Sequence, residues 1–208
     1  VRTAPRGVRA RAPRRAGAHG ADVLGMVTAA PAGRLDVLFL LGADEIAMNA
    51  LGDAFVVYVG THGDAGAHRA DVILPGAAYT EKSGIFVNTE GRVQMTARAA
   101  FPPGDAREDW AILRALSDVL GHRLAFDSLA ELRAALYAAH PHFLRVDQIE
   151  AGSLDAVKAL GGRPAPVGRK PFRGAVADFY LTNPIARASA IMAECSALAS
   201  GRLAAAAE

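Results

Sequence analysis

Residues 70–96, ADVILPGAAYTEKSGIFVNTEGRVQMT, decide how this chain folds. Val72-Ile73-Leu74 has the bulk and branching of a buried strand. Pro75-Gly76 stops it, because proline cannot continue a central ladder. Glu81-Lys82 makes a charged elbow. Two short extended runs then flank Asn88-Thr89-Glu90-Gly91, where asparagine and glycine tolerate the backbone of a tight reversal. The stretch reads as strand, loop and hairpin.

Toward the N-terminus, residues 35–41 (LDVLFLL) end at Gly42. Asp44-Glu45 suit the first turn of a helix, residues 46–51 a short helix, and residues 54–59 (AFVVYV) another strand. Apolar strands without alternation, separated by a helical piece, predict a parallel sheet covered on both faces. Residues 72–74 supply the next strand, reached through the loop 60–69. The regular pattern begins abruptly at Leu35, so this unit is expected to be the tail of a larger sheet.

Toward the C-terminus, Pro102-Pro103-Gly104 is a break. Residues 109–120 then predict a helix, with Trp110, Leu113, Leu116 and Leu120 at helical spacing and Gly121 as its stop. Ser128-Leu129-Ala130-Glu131 is a capping box, opening a helix through Leu132, Leu136 and Ala139 to Pro141. Residues 161–174 hold three prolines and four glycines, a linker or an irregular surface wrap. Asn183-Pro184 opens a last helix, with proline in its first turn. Ile185, Ala188, Met192, Cys195 and Ala199 lie along one face of it, and a helix so striped must dock on something.

The expected fold class is α/β: a partial doubly wound parallel sheet with a β-hairpin, followed by a mainly helical C-terminal region. The divisions are a disordered or artefactual basic segment (1–33), an α/β segment (34–100), a helical segment (101–160), a linker (161–177) and a docking helix (178–208).

With 208 residues, 51% of them apolar, the chain can bury a sizeable core. No apolar run approaches the roughly 18–20 residues of a membrane span. Residues 37–41 fit a buried strand, and any membrane association is expected to come through a partner. A single cysteine, Cys195, excludes an internal disulfide and any cluster held by several cysteines. It reads as a small apolar filler on a helix.

The net charge of +2 misleads. Six of the 23 basic residues lie in the first twenty positions, which hold no acid, leaving 17 basic against 21 acidic residues in the rest. The body is mildly acidic, and nothing in it points to nucleic acid. The opening VRTAPRGVRARAPRRAGAHG could be a basic arm or an acid-poor targeting peptide, although its prolines and glycines spoil an amphipathic helix. A fragment boundary or an out-of-frame translation gives the same alphabet. Such composition cannot bury enough to fold.

Four sets of residues could carry chemistry. Gly60-Thr61-His62-Gly63-Asp64-Ala65-Gly66 follows a strand, where doubly wound sheets bind ligands. Its glycines could admit a phosphate, and His62 with Asp64 could move protons. It is neither a GxGxxG pattern opening a helix nor a P-loop, and a ligand-free structured loop accounts for it. His62 with His68, and His140 with His142, match no metal-ligand spacing; the second pair flanks a proline that should keep the rings apart. Glu81, Lys82, Glu90 and Arg92 are the densest charges, and each acid has a base nearby, which favours ion pairs fixing the hairpin. No Ser/His/Asp order or nucleophile elbow occurs.

The opening stretch, together with LFLLGAD (38–44), HGDAGA (62–67), PPGDAREDW (102–110), RALS (114–117) and DFYLTNPIARASAIMAEC (178–195), resembles the C-terminal part of the large iron–sulfur (75 kDa-type) subunit of respiratory complex I, NADH:quinone oxidoreductase. That subunit is a relative of the molybdopterin oxidoreductases. The resemblance spans residues 35–199; residues 1–33 do not match it, and Gly84-Ile85 departs from the family wording in a way a hairpin tolerates. It implies electron transfer from NADH to quinone by the whole subunit, with 2Fe-2S and 4Fe-4S clusters held in an N-terminal region absent here. It further implies a segment that is a cofactor-free scaffold, with no catalytic, cofactor-binding or metal-ligating residue of its own.

The implied partners are other peripheral-arm subunits of complex I, with no nucleic acid and no direct membrane insertion. The implied location is the cytoplasmic side of a bacterial inner membrane, or the matrix side of the mitochondrial one. The alternatives are a fragment of a catalytic molybdopterin oxidoreductase, such as a formate dehydrogenase, and a free-standing anion-binding module using residues 60–66.

Overall fold

The structure, a computed structural model, describes residues 22–149, 151–161, 168–169, 171 and 176–201. Three parallel strands, β1 (Val37–Leu41), β2 (Phe55–Gly60) and β3 (Val72–Pro75), lie side by side in chain order. Val37 stands opposite Phe55, and Val57 opposite Val72. A separate antiparallel hairpin follows, and then helices, as the sequence predicts.

The central strand β2 is covered on both faces: Val56, Tyr58 and Val59 are at most 1% exposed. β1 is not. Leu38 and Leu40 are buried, whereas Val37, Phe39 and Leu41 are 40–48% exposed. β1 is an edge strand, and the described residues cover one of its faces.

The core gathers Leu38, Leu40, Leu51, Ala54, Val56 and Tyr58 with Ala30. Ala30 follows α1 (Val23–Ala29), which also turns Met26 toward this cluster. This helix lies inside the segment 1–33, expected to be disordered or artefactual. The reason is local: residues 22–33, DVLGMVTAAPAG, carry no arginine, and Asp22 caps the helix by accepting from Gly25 N at 2.7 Å.

Residues 46–51, expected as a helix, give only the 3-10 turn Met48–Ala50, after which Leu51 is fully buried. The expected loop 60–69 contains a short helix, α2 (Ala65–Arg69), whose cap Asp64 accepts from Ala65 N at 2.8 Å.

The hairpin pairs β4 (Ile85–Val87) with β5 (Val93–Met95). At its turn Asn88 Oδ1 accepts from the amides of Glu90 and Arg92, both at 3.0 Å, and Gly91 takes φ +82°. The chain then returns to β3: Arg107 N donates to Pro75 O at 3.1 Å and Ala77 N to Arg107 O at 2.8 Å. That return sets α3 (Asp109–Val119) with its first turn at the carboxyl end of β3. Gly121, at φ +72°, stops the helix as expected.

α4 (Leu129–Ala139) is capped by Ser128, whose Oγ accepts from Glu131 N at 3.2 Å. Glu131 reaches back one residue farther than a capping box requires, to Asp127 N at 2.6 Å. α5 (Leu154–Gly161) follows, and the Pro- and Gly-rich stretch after it lies almost wholly outside the described residues.

The expected single C-terminal helix is two, α6 (Pro184–Arg187) and α7 (Ala190–Ala199). Ser189, in extended backbone, separates them and caps α7 by accepting from Met192 N at 3.3 Å. A serine that bonds to the backbone two or three residues on competes with the continuing helix.

Candidate functional site

The carboxyl ends of β1, β2 and β3, where open α/β sheets place their ligands, border a cleft of about 560 Å³. Leu41 and Gly42 come from the first strand end, Val59, Gly60 and Thr61 from the second, and Ala77 and Ala78 from just beyond the third. Phe86 of the hairpin and the segment Asn183, Pro184, Ile185 and Met192 close the opposite side. The walls are largely apolar.

Its charged pair is Lys82 with Asp109, whose side chains are in contact. The hairpin elbow brings the lysine and the first turn of α3 the acid, a favourable place for a carboxylate. Of the four charged residues singled out in the sequence, only two pair with each other: Arg92 lies 3.5 Å from Glu90. Glu81 instead accepts from Ala78 N at 2.9 Å, which shapes the elbow.

Beside the cleft lies a denser cluster. Arg187, at the end of α6, donates to Asp44 after β1 and to Asp64 after β2, and lies 3.5 Å from Glu45. The Asp44 side chain is fully buried, and it also accepts from Gly66 N at 2.9 Å. Asp44 and Glu45 thus open no helix, contrary to expectation. A carboxylate removed from water needs charge and hydrogen-bond partners, and this geometry supplies both. The Arg187 hydrogen bond holds the Asp64 carboxyl below its usual range. Burial opposes the Arg187 charge, yet its bond to Asp64 and the charges of Asp44 and Glu45 still raise its pKa. Burial, and then the nearby Asp44 and Asp64 charges, raise the Tyr58 hydroxyl.

Tyr58 explains the glycines of residues 60–66. A Cβ on Gly60 would meet the Tyr58 ring at 2.3 Å, and one on Gly66 would sit 2.9 Å from that ring and 2.8 Å from Asp44 Cβ. The tyrosine hydroxyl donates to His62 O at 3.0 Å. Two of the three glycines therefore make room for a buried tyrosine and a buried aspartate. His62 Nδ1 lies 2.8 Å from Thr61 Oγ1, and Asp64 is committed to Ala65 N and Arg187, so the pair does not form an acid–base couple.

Among the described residues no group of three or more His, Cys, Asp or Glu is placed to hold a metal. The His140 and His142 rings do approach, 6.0 Å apart and edge-on, against the expectation that Pro141 keeps them apart. Both also pack on Phe143.

The iron–sulfur clusters that the resemblance assigns to another part of the subunit do not fit these residues. An iron–sulfur cluster needs several thiolates, and the chain has one cysteine, half-buried on α7. Among the described residues lining the cleft, Lys82 is the one cation and Asp109 already neutralises it.

The sequence reading passes over Arg187 and takes Asp44 only for a helix start, although both lie within segments that carry the resemblance. Residues 143 positions apart offer no spacing to read.

Residues 9–119 match the model of the molybdopterin oxidoreductase family, and residues 146–195 match a model of the C-terminal part of an NADH-ubiquinone oxidoreductase subunit. The chain is 47% identical over 163 residues to the NADH-ubiquinone oxidoreductase 75 kDa subunit of Reclinomonas americana, covering 77% of this chain and 23% of that one. It is 47% identical over 165 residues to the mitochondrial NADH dehydrogenase [ubiquinone] iron-sulfur protein 1 of Solanum tuberosum, covering 77% and 22%. This chain therefore spans less than a quarter of the length of these relatives. Acetylene hydratase from Pelobacter acetylenicus matches half of this chain and 16% of its own, with a TM-score of 0.42 and 21% identity.

Proposed function

This chain belongs to the molybdopterin oxidoreductase family, and we propose that it serves as a cofactor-free scaffold segment in the large iron–sulfur subunit of an NADH:quinone oxidoreductase. The observation that carries the proposal is the 47% identity, over most of this chain, to two subunits of that kind. The match of residues 146–195 to the C-terminal part of an NADH-ubiquinone oxidoreductase subunit favours the same reading over a catalytic molybdenum enzyme.

The site chemistry is consistent with that role. The cleft at the strand ends holds a lysine paired with an aspartate, a few neutral polar side chains such as Thr61, Asn183 and Ser189, and otherwise apolar ones. The iron–sulfur clusters that move electrons from NADH toward quinone belong, in this reading, to another part of the subunit. The partners are the other peripheral-arm subunits. Among the described residues no helix is long and apolar enough to cross a membrane. We place the segment in the peripheral arm, on the cytoplasmic side of a bacterial inner membrane or the matrix side of a mitochondrial one.

The test is purification of the protein carrying this chain, by an affinity tag, from gently solubilised membranes. Co-purification of NADH:quinone oxidoreductase activity, lost when residues 35–199 are deleted, is the expected result. Purification alone with stoichiometric molybdenum or tungsten would overturn the proposal for the catalytic alternative. Purification alone with thermal stabilisation by phosphate or nucleotides would overturn it for the anion-binding module.

A further inference from the structure

The C-terminal residues 178–200 are built as one unit. The 3-10 turn Phe179–Leu181, α6 and α7 pack on one another. Asn183 caps α6, accepting from Ala186 N at 2.9 Å, and Ser196 donates to the Asp178 carboxylate at 2.5 Å, tying the start of the unit to its last helix. This unit meets the sheet in two ways. Ile185 and Met192 face the apolar wall of the cleft. Arg187 enters the trio of Asp44, Glu45 and Asp64.

Three carboxylates at the strand ends repel phosphates and other anions, and a planar guanidinium with five donors is the cation that such a trio holds best. The trio is filled from within the chain. We propose that residues 178–200 are a lid, closing the chain's own ligand edge and opening as one body, with Arg187 in the Asp44–Glu45–Asp64 clamp as its latch. The proposal does not rest on assembly into any complex.

The physical terms separate cleanly. Opening leaves three like charges together, one of them at a site that was fully buried, so the latch opposes opening electrostatically. Salt screens the repulsion among the three carboxylates once opening exposes them, whereas the closed, partly buried pairs are screened little and the apolar contact of Ile185 and Met192 stays intact. The sheet core, built on Leu38, Val56 and Tyr58, contains no element of the lid.

Native-state hydrogen exchange on the full chain, in whatever assembly it purifies, tests the lid without any variant. The expected result is exchange in α6 and α7 about tenfold faster than in β2. Lid exchange should rise severalfold between about 50 mM and about 500 mM sodium chloride, with β2 unchanged. A common rate for lid and sheet, or a lid rate indifferent to salt, would overturn the proposal. Arg187→Gln should raise lid exchange about tenfold at constant β2 protection, and Arg187→Lys less so. Loss of β2 protection in Arg187→Gln would make Arg187 part of the core and overturn the latch.

Discussion

The guanidinium of Arg187 donates to the buried carboxylate of Asp44, which lies 143 residues earlier in the chain. This pair ties the last helices to the first strand, and the Asp64 bond ties them to the second. The two acids differ in burial. Asp44 has no exposed side-chain surface, while Asp64 is 26% exposed.

That difference predicts unequal mutants. Asp44→Ala removes the charge facing Arg187 and the acceptor for Gly66 N, so it should cost about 3–5 kcal/mol. Asp64→Asn keeps an N-cap oxygen and lies nearer solvent, so it should cost about 1 kcal/mol or less. Urea midpoints of the two variants check this, and equal losses would contradict the burial argument.

Gly66→Ala should destabilise by about 1–3 kcal/mol, because the new methyl group collides with Asp44 Cβ and the Tyr58 ring. Gly63→Ala, where a Cβ meets nothing within 4 Å, should change stability by no more than about 0.5 kcal/mol. A phosphate-binding loop would give another pattern: both variants would alter anion binding. Thermal melts with and without phosphate separate the two.

The depressed Asp64 carboxyl sets a pH window. Its folded pKa lies below the unfolded one, so its stabilisation is complete above the ordinary aspartate range, about 4. It is lost as pH falls through the lowered folded value. Melting temperature should therefore decline more steeply below about pH 4 in the parent than in Asp64→Asn. Parallel curves would show that Asp64 contributes nothing to acid sensitivity.

Met192 and Ile191 are neighbours on α7 with opposite exposures. Met192 lines the cleft, while Ile191 is 67% exposed. Met192→Asp should loosen α6 and α7 by placing a charge against Leu41 and Val59 of the cleft wall, costing about 1–3 kcal/mol. Ile191→Asp should leave the fold intact. If the peripheral-arm proposal is right and this face is an interface, Ile191→Asp should instead reduce co-purification of the other subunits.

The sequence by itself determined the local elements. Apolar runs bounded by Gly42, Pro75 and Gly121 marked strands and a helix, because backbone restriction and side-chain branching act within a few residues. Asn88 and Gly91 fixed the hairpin turn, and Ser128 the start of α4, for the same reason. The resemblance carried by residues 35–199 pointed to the family. Where short-range signals compete, the sequence was not enough. The serine that splits the last helix, the short α2 and the open face of β1 depend on which alternative the surrounding structure completes.

Only the tertiary structure decided the site. The glycines of residues 60–66 read as a structured loop without a ligand, but only the fold shows why two of them are needed: Tyr58 and Asp44 occupy the space that side chains there would take. Lys82 looked like the partner of Glu81 until the chain's return beside β3 carried Asp109 to it. Asp44 looked like a helix start until Arg187 arrived from the other end of the chain. Coulombic pairing and burial depend on distance in space, and folding makes that distance independent of separation along the chain.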